Sequence, residues 1–268
     1  MPLLYQLPLS LLFLLVMAPC LLFGVAGVWL VRRNGWMLTV KDNNTAALVH
    51  AFVGVLYAVA LGLMVVGVQS GYSEVQMVVM KEAYLAEDLY IDADGLSEPM
   101  RSKIHELAKS YVDAVIEKEW PAIAKGDFSD QETHLIVDKL AHSIAIHEPE
   151  SDHELVVFAE MLSGVNQLLD LRRERLHLGG DGIGIVTWTV VALGGLLTIG
   201  VACFYNTQSA RAHHALVGTM SLMFTLMIFL IVAMDRPLWG TFSVSSDPFI
   251  EAQSDILEWE REFSSKQN

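Results

Sequence analysis

The stretch ALVHAFVGVLYAVALGLMVVGVQ, residues 47–69, decides the class of fold. It contains no aspartate, glutamate, lysine or arginine. A helix of this length rises about 1.5 Å per residue, which covers the roughly 30 Å of hydrocarbon in a bilayer. The stretch therefore predicts a transmembrane helix. Because residues 70–91 contain no proline and a single glycine, the helix is expected to continue well beyond the membrane.

Three further stretches have the same character: residues 8–31, 184–205 and 214–234. The whole chain is 53% hydrophobic with a mean hydropathy of +0.42, above the usage of an ordinary soluble domain. We predict four spanning helices. The first lacks a basic leading region and a small-residue cleavage site, which favours a retained helix over a signal peptide.

These spans divide the chain into four parts and predict an all-α fold. Residues 1–69 hold spans one and two, and residues 70–183 form a helical extramembrane domain. Residues 184–235 hold spans three and four, and residues 236–268 are a C-terminal tail.

The extramembrane segment is strongly acidic. Residues 69–183 carry 23 aspartates and glutamates against 10 lysines and arginines, which accounts for nearly all of the net charge of −14. Such a domain repels nucleic acid, so we expect no nucleic-acid partner. Its acidity either attracts cations or a basic partner, or keeps an exposed domain soluble.

Helical periodicity predicts a small bundle in this segment. The apolar positions fall in three sets: Ile104, Leu107, Tyr111, Val112 and Val115; Ile136, Val137, Leu140, Ala141 and Ile144; and Leu155, Phe158, Leu162, Val165 and Leu169. Residues 92–95, 125–127 and 147–152 read as turns. The glycines of GGDGIG, 179–184, are expected to interrupt the helix that leads to span three.

The short loops between spans carry the basic residues that set orientation. Arg32, Arg33 and Lys41 lie between spans one and two, and Arg211 lies between spans three and four. Short loops rich in lysine and arginine stay in the cytoplasm. We therefore expect a multi-pass protein of the bacterial inner membrane, with the acidic domain and both termini in the periplasm.

Nothing in the sequence indicates an enzyme. The two cysteines, Cys20 and Cys203, lie in apolar stretches and predict neither a disulfide nor a cysteine zinc site. Residues 179–184 have neither a preceding strand nor a following GK[ST], so they do not match a phosphate loop. No nucleophile and base pair is evident from linear spacing, and no cofactor is expected.

One weak metal motif is present. His134, Asp138 and His142 have i, i+4 and i+8 spacing, which places them on one face of a helix. Imidazole and carboxylate ligands at that spacing suit Zn²⁺ or a similar ion. An exposed acidic helix with scattered histidines gives the same pattern without binding metal, so both interpretations stand.

Span two carries a stripe of small residues: Ala51, Gly54, Ala58 and Gly62. Such a stripe allows the close approach of another helix backbone. It indicates an internal packing face, or else a face that meets another subunit or a pore.

The segment MDRPLWG, 234–240, closes the last span. An acid, a base, a proline and an aromatic residue end the span together, and the candidate site residues are Asp235, Arg236, Pro237 and Gly240. Charges at a membrane boundary pair with each other, cap a helix or line a vestibule. The segment thus predicts either structural termination or a pore-mouth or ligand site.

Several short motifs together resemble a known family. They are Glu-Trp-Pro at 119–121, RRERL at 172–176, Trp188 at the start of span three, DRPLWG at 235–240 and DPF at 247–249. The chain resembles the bestrophin-like membrane proteins of bacteria over nearly its whole length. It departs from them at Gly184, where a proline is common, and at Leu238, which displaces the aromatic residue. The resemblance implies an oligomeric ion channel.

Two functional hypotheses follow. The first is a homo-oligomeric channel in which span two lies near a central axis and acidic domains surround the outer vestibule. The family name suggests anions, whereas an acidic vestibule favours cations, so ion identity stays open. The alternative is a non-transporting sensor or scaffold whose periplasmic domain binds a metal or a partner protein. The expected partners are the lipid bilayer, further copies of the chain and small inorganic ions.

Overall fold

The computed structural model describes residues 7–129, 131–149, 151–180 and 182–266. In this part of the chain every regular element is helical. The α-helices are α1 Leu9–Asn34, α2 Val40–Asp92, α3 Met100–Ala114, α4 Trp120–Ile123, α5 Gln131–Ala145, α6 Asp152–Gly180, α7 Ile185–Cys203, α8 Ala210–Met234 and α9 Asp247–Lys266. Short 3₁₀ turns occupy Ala93–Gly95 and Gly240–Phe242, and one π-helical turn occupies Val115–Glu119. The predicted all-α class is confirmed.

Four helical stretches among the described residues are long and apolar enough to cross a membrane. They are Leu9–Asn34, a segment within Val40–Gly95, a segment within Asp152–Cys203, and Ala210–Met234. The four predicted spans are confirmed in number and place. As expected from its lack of proline, α2 continues far beyond span two and reaches 53 residues.

The contacts divide the chain into two compact units. A membrane unit comprises residues 7–70 and 182–236, and a bundle unit comprises residues 71–180 and 237–266. Each unit is therefore built from two separate stretches of sequence, and the division does not follow the order of the chain.

Close helix packing in the membrane unit depends on small residues in α1. A side-chain carbon at Gly24 would lie 2.5 Å from Ser221 Oγ of α8, and one at Gly27 would lie 2.7 Å from Cys203 Sγ of α7. Phe13 and Phe229 pack edge to face at 5.2 Å between centroids. The two glycines let α1 lie directly against α7 and α8, and this close contact leaves no room for a larger side chain at either position.

The α2 helix joins the membrane unit through few side chains. The Tyr57 hydroxyl donates a 2.5 Å hydrogen bond to the carbonyl of Val191. Its ring fills the space where a side chain on Gly194 would stand. Leu61, one turn further along, is buried with Tyr57. Most of the remaining surface of α2 in this unit is exposed in the single chain.

The core of the bundle unit contains the apolar faces predicted from periodicity. Its fully buried members include Leu89, Ile104, Tyr111, Val112, Val115, Val137, Leu140, Ile144, Met161, Val165 and Leu168. Leu155 is the exception, because it is 54% exposed at the start of α6. Helical periodicity alone placed it on the buried face, but in the first turn of α6 the buried side chain is Glu154, at 3% exposed, so Leu155 faces away from the core.

Residues 236–268 contain more structure than the tail expected from the sequence. Helix α9 buries Phe249, Ala252 and Ile256 in the bundle core, and its first turn contains the DPF motif. These three residues and the half-buried Trp259 have i, i+3, i+7 and i+10 spacing, which is a short helical face. The surrounding acidic and polar residues hid this short pattern from sequence analysis.

Candidate functional site

Four charged side chains form a buried cluster in the bundle unit. Arg175 and Arg172 come from α6, Glu82 comes from α2, and Glu119 comes from the π-helical turn. The side chains of Arg175 and Glu82 are completely inaccessible, and those of Glu119 and Arg172 are almost so. Charged groups are rarely buried to this degree unless they are paired.

The pairing in this ionic cluster is dense. Arg175 donates from Nε to Glu82 Oε2 at 2.6 Å, and from Nη2 to Glu82 Oε1 and Glu119 Oε2, both at 3.0 Å. Arg172 Nη2 donates to the other oxygen of Glu119 at 2.8 Å. Two cations and two anions therefore cancel, which offsets much of the cost of removing them from water.

A tyrosine hydroxyl and two aromatic rings complete the surroundings of Arg175. The Tyr111 hydroxyl donates to Glu82 Oε1 at 2.5 Å. The guanidinium carbon lies 5.3 Å from the ring centroid of Trp120 and 5.9 Å from that of Phe249, within the range of a cation–π interaction. The cluster is thus enclosed by apolar rings as well as paired.

Burial and charge act in opposite directions on Arg175. Burial disfavours its charged form, but the carboxylates of Glu82 and Glu119 outweigh burial and hold its pKa well above the ordinary value. Burial, reinforced by the charge of Glu82, likewise raises the pKa of Tyr111 well above its usual range. Arg175 therefore stays protonated, and Tyr111 remains a hydrogen-bond donor at neutral pH.

The local backbone explains how these side chains meet. Arg172 and Arg175 are three residues apart, so they lie on the same face of α6. The π-helical turn Val115–Glu119 widens the helix after α3 by one residue per turn, and π turns of this kind are frequent at functional sites. Glu119 ends that turn and is 1% exposed.

The cluster gathers the motifs that identified the family from the sequence. Glu119 and Trp120 belong to Glu-Trp-Pro, Arg172 and Arg175 belong to RRERL, and Phe249 belongs to DPF. In the sequence these motifs indicate the family but not a role for the individual residues. The structure brings them together around one guanidinium group.

Glu82 and Tyr111 were not recognised from the sequence at all. Glu82 stands in the run VVMKEAYLAE, where one of several acids in a long helix resembles a solvated residue. Tyr111 was predicted as a core residue, but without a partner for its hydroxyl. The available signal was the position of Glu82 on the same helical face as Val75, Val79 and Ala86, which are buried.

The first residues of the DRPLWG segment contact the backbone just before α7. In the membrane unit, Asp235 is buried and its Oδ1 accepts a 2.6 Å hydrogen bond from the amide of Ile183, just before α7. Arg236 lies beside Gly182, where a side-chain carbon would approach its Nε to 2.5 Å. Asp235 thus lies at the N-terminal end of α7, where the partial positive charge of the helix stabilises a carboxylate.

The second half of that segment belongs to the bundle unit. The Pro237 carbonyl accepts from the amide of Val244 at 2.6 Å, and the amide of Gly240 donates to Ala124 at 3.2 Å. Gly240 has a φ of +74°, a conformation that favours glycine. These contacts agree with structural termination, while a role for these residues at a pore mouth stays a prediction.

The small-residue stripe of α2 is not covered by any of the described residues. A side-chain carbon at Gly54 or Gly62 would meet no atom within 4 Å, and Ala51 and Ala58 are exposed. The stripe is therefore not an internal packing face of the described chain. The interpretations that remain are that the stripe faces lipid, another subunit or a pore.

The histidine motif does not form a metal site in the structure. His134 Nε2 lies 3.4 Å from Asp138 Oδ2, and both side chains are about half exposed. Among the described residues, no group of three or more histidine, cysteine, aspartate or glutamate side chains is placed to hold a metal ion. His142 does not complete a ligand set, so we propose no metal for these residues.

The fold and the buried cluster define a multi-pass, all-α membrane protein with a helical domain outside the apolar spans. Residues 18–249 match the bestrophin-like domain. The chain belongs to the bestrophin-like family. The resemblance seen in its short motifs is confirmed.

Solved structures of similar fold include mutants of a bacterial bestrophin homologue. A point mutant of a bacterial bestrophin homologue from Klebsiella pneumoniae has a TM-score of 0.67 at 12% identity, covering 92% of this chain and 98% of that chain. A second mutant of that homologue has a TM-score of 0.63 at 13% identity, with the same coverage. A structure described as a membrane protein has a TM-score of 0.67 at 12% identity, covering 90% and 96%. No curated protein sequence is significantly similar to this chain.

Proposed function

We propose that the protein is a homo-oligomeric ion channel of the bacterial inner membrane, with α2 facing the ion path. Family membership supports this proposal, since the bestrophin name implies channels. The basic short loops favour a periplasmic location for the acidic bundle unit.

One observation carries the proposal. The membrane part of α2 is long, apolar and largely uncovered, and its small-residue stripe at Ala51, Gly54, Ala58 and Gly62 is open. Lipid alone does not require small residues, because lipid chains adapt to any apolar surface. A row of small side chains instead suits the approach of another α2 or a passage for ions.

The charge of the bundle unit bears on which ions enter. An excess of carboxylates lowers the local potential and raises the concentration of cations by attraction. Chloride would meet repulsion unless basic groups near the constriction compensate. Selectivity is best measured without assuming either sign.

A sensor or scaffold is the second candidate, because the bundle unit has open grooves. One groove of about 420 Å³ is lined by Asp88, Asp92 and Glu160 among others. Burial, together with the charges of Glu160 and Asp88, raises the pKa of Asp92. Such a groove suits a basic partner. The metal-binding form of this hypothesis has no support in the described residues.

Flux into liposomes separates the two hypotheses. The purified protein is reconstituted, and flux is measured under separate K⁺, Na⁺ and Cl⁻ gradients. A channel gives protein-dependent flux for at least one ion, and Gly62→Phe should reduce it at least tenfold by filling the open stripe. Leu63→Phe is the matched control, because Leu63 is exposed on a neighbouring face of α2 and should leave flux unchanged.

The result that contradicts a channel is equally clear. If the folded wild type gives no flux for any of the three ions across a range of pH and voltage, the sensor hypothesis replaces the channel. Equal loss of flux in both phenylalanine variants would show that the stripe has no special role in conduction.

A further inference from the structure

The short-loop end of the membrane unit carries an unbalanced positive charge. This short-loop face consists of residues 29–43 and 204–214. It contains four basic side chains, Arg32, Arg33, Lys41 and Arg211, and a single acid, Asp42. The acid is already engaged, since its Oδ2 accepts a 2.6 Å hydrogen bond from Thr39 Oγ1. The face is thus basic within a chain that is strongly acidic overall.

The face is a fixed platform rather than two loose loops. Asn43 Nδ2 donates to the carbonyl of Asn206 at 2.9 Å, and the amide of Asn206 donates back to Asn43 Oδ1 at 3.0 Å. The amide of Leu38 donates to the carbonyl of Phe204 at 2.9 Å. These bonds hold the loop after α1 against the loop before α8.

The four basic residues divide into one structural group and three free groups. Arg32 Nη1 donates to the carbonyl of Thr207 at 3.2 Å and lies 3.4 Å from His213 Nδ1, so it helps to hold the platform. Arg33, Lys41 and Arg211 are exposed and make no ion pair within the described chain. Their charges are available to a ligand.

Aromatic side chains place this face at the depth of lipid headgroups. Trp29 is 52% exposed and Trp36 is 58% exposed. Exposed tryptophans collect at the boundary between membrane and water. The Arg33 guanidinium carbon lies 5.0 Å from the ring centroid of Trp29, so one free cation is fixed at that boundary.

The first turn of α8 adds donors at the same place. Helix α8 has 25 residues and begins after Ser209, and its N-terminus carries partial positive charge. Arg211 lies in that first turn. Exposed arginine side chains and free backbone amides at a helix N-terminus are groups that bind phosphate oxygens.

From this arrangement we propose that the short-loop face binds the headgroup of an anionic phospholipid. The lipid phosphate would meet Arg33 and Arg211, and Lys41 would add long-range attraction. The acyl chains would lie along the exposed apolar sides of α1 and α2. Lipid is the ligand that this position selects, because the free cations stand beside exposed tryptophans at the end of spanning helices.

The test is the affinity of the detergent-solubilised protein for a fluorescent phosphatidylglycerol, with the same probe on phosphatidylcholine as the neutral reference. Each basic residue near a membrane surface strengthens binding of anionic lipid about fivefold. Arg33→Gln with Arg211→Gln should therefore raise the Kd for phosphatidylglycerol about 30-fold and leave phosphatidylcholine unchanged. Lys41→Gln alone should give about a fivefold loss.

A charge-matched control tests whether the lipid binds at the short-loop face. Arg101→Gln with Arg173→Gln removes the same charge from exposed arginines of the bundle unit, and it should leave the Kd unchanged. Equal loss in the control, or an unchanged Kd in the short-loop variant, would overturn the proposal.

Inorganic phosphate distinguishes a lipid site from a free-anion site. Phosphate should compete no better than sulfate at equal ionic strength. Specific competition by phosphate would overturn the assignment to lipid. Because the assay uses detergent and does not measure flux, its outcome is independent of whether the protein conducts ions.

Discussion

At the scale of single residues, Arg175 is the largest fully buried side chain among the described residues. It is fully buried, donates to both Glu82 and Glu119, and is flanked by the rings of Trp120 and Phe249. A buried ion pair adds little stability compared with an apolar replacement, but removing one partner leaves uncompensated charge. The cluster therefore specifies how α2, α6 and the π-helical turn pack together.

Arg175→Ala should lower the free energy of unfolding of the protein by about 3–5 kcal/mol, because it leaves Glu82 charged and buried. Chemical unfolding in detergent, followed by circular dichroism, measures this change. Arg173→Ala is the matched control on the same helix, since Arg173 is exposed and its ion pair within the described chain is to the exposed Asp170 at 3.2 Å. The control should change stability by about 0–1 kcal/mol. Similar losses for both variants would show that the buried cluster has no special role.

His105 predicts a pH dependence of stability. It stacks on Tyr90 at 4.1 Å and faces Asp94 at 3.4 Å, with Glu98, Arg101 and Glu260 also near. Burial lowers the pKa of His105, although Asp94 opposes that shift. In the unfolded chain His105 binds a proton with a pKa of about 6.5, whereas in the folded chain it binds the proton only at lower pH. Stability should fall as the pH drops from about 7.5 to 5.

Comparing wild type with His105→Gln tests this directly. The variant should have a flatter dependence of melting temperature on pH across that window, whatever its absolute stability. His134→Gln, which changes an exposed histidine, should retain the slope of the wild type. A wild-type slope that persists in His105→Gln would assign the dependence to another group.

The residue scale also shows what sequence patterns miss. Glu119, Arg172 and Arg175 were visible in motifs, but pairing between residues more than fifty positions apart leaves no local signal. Glu82 resembled an ordinary solvated acid. Conversely, the spacing of His134, Asp138 and His142 was visible, yet it does not produce a metal site, because helical alignment alone does not converge three ligands on one point.

At the scale of elements, the spanning helices and the bundle faces were predictable because a single physical requirement determines each. A bilayer needs about 20 apolar residues, and a bundle helix needs an apolar stripe. Helix α9 was missed because three buried residues among charged neighbours make a weak stripe. Its contribution to stability is therefore the least obvious from the sequence.

Phe249→Ala should destabilise the protein by about 3–5 kcal/mol, because it leaves a cavity beside Arg175 where a fully buried ring had packed. Ile250→Ala alters the next residue of α9, which is 47% exposed, and should cost at most about 0.5 kcal/mol. Unfolding free energies in detergent compare the two. Equal effects would mean that α9 does not contribute to the core.

The contact between α2 and α7 gives a second element-scale prediction. Gly194→Ala places a carbon where the ring of Tyr57 lies, so overpacking should cost about 1–3 kcal/mol. Gly218→Ala is the control, because no atom lies within 4 Å of the added carbon, and it should be neutral or slightly stabilising. Resistance to unfolding by sodium dodecyl sulfate measures both variants. A tolerated Gly194→Ala would show that Tyr57 does not fix α2.

At the scale of the whole molecule, the sequence predicted a membrane protein of the bestrophin-like family, and that prediction is confirmed. What the chain does in the membrane depends on surfaces whose partners lie outside it. The open stripe on α2 illustrates this, because its residues lack neighbours in one chain. The spacing of small residues in the sequence reveals such a face, but it does not identify the lipid, subunit or ion path that lies against it.

The most direct test of the channel proposal is thiol modification along α2 during flux measurements. In a background with Cys20→Ala and Cys203→Ala, cysteines are introduced singly at Ala58, Gly62, Val59 and Leu63. A charged, membrane-impermeant thiol reagent should block flux through the variants at 58 and 62 and leave those at 59 and 63 conducting. Equal reactivity at all four positions, or block confined to 59 and 63, would contradict an ion path along the small-residue stripe.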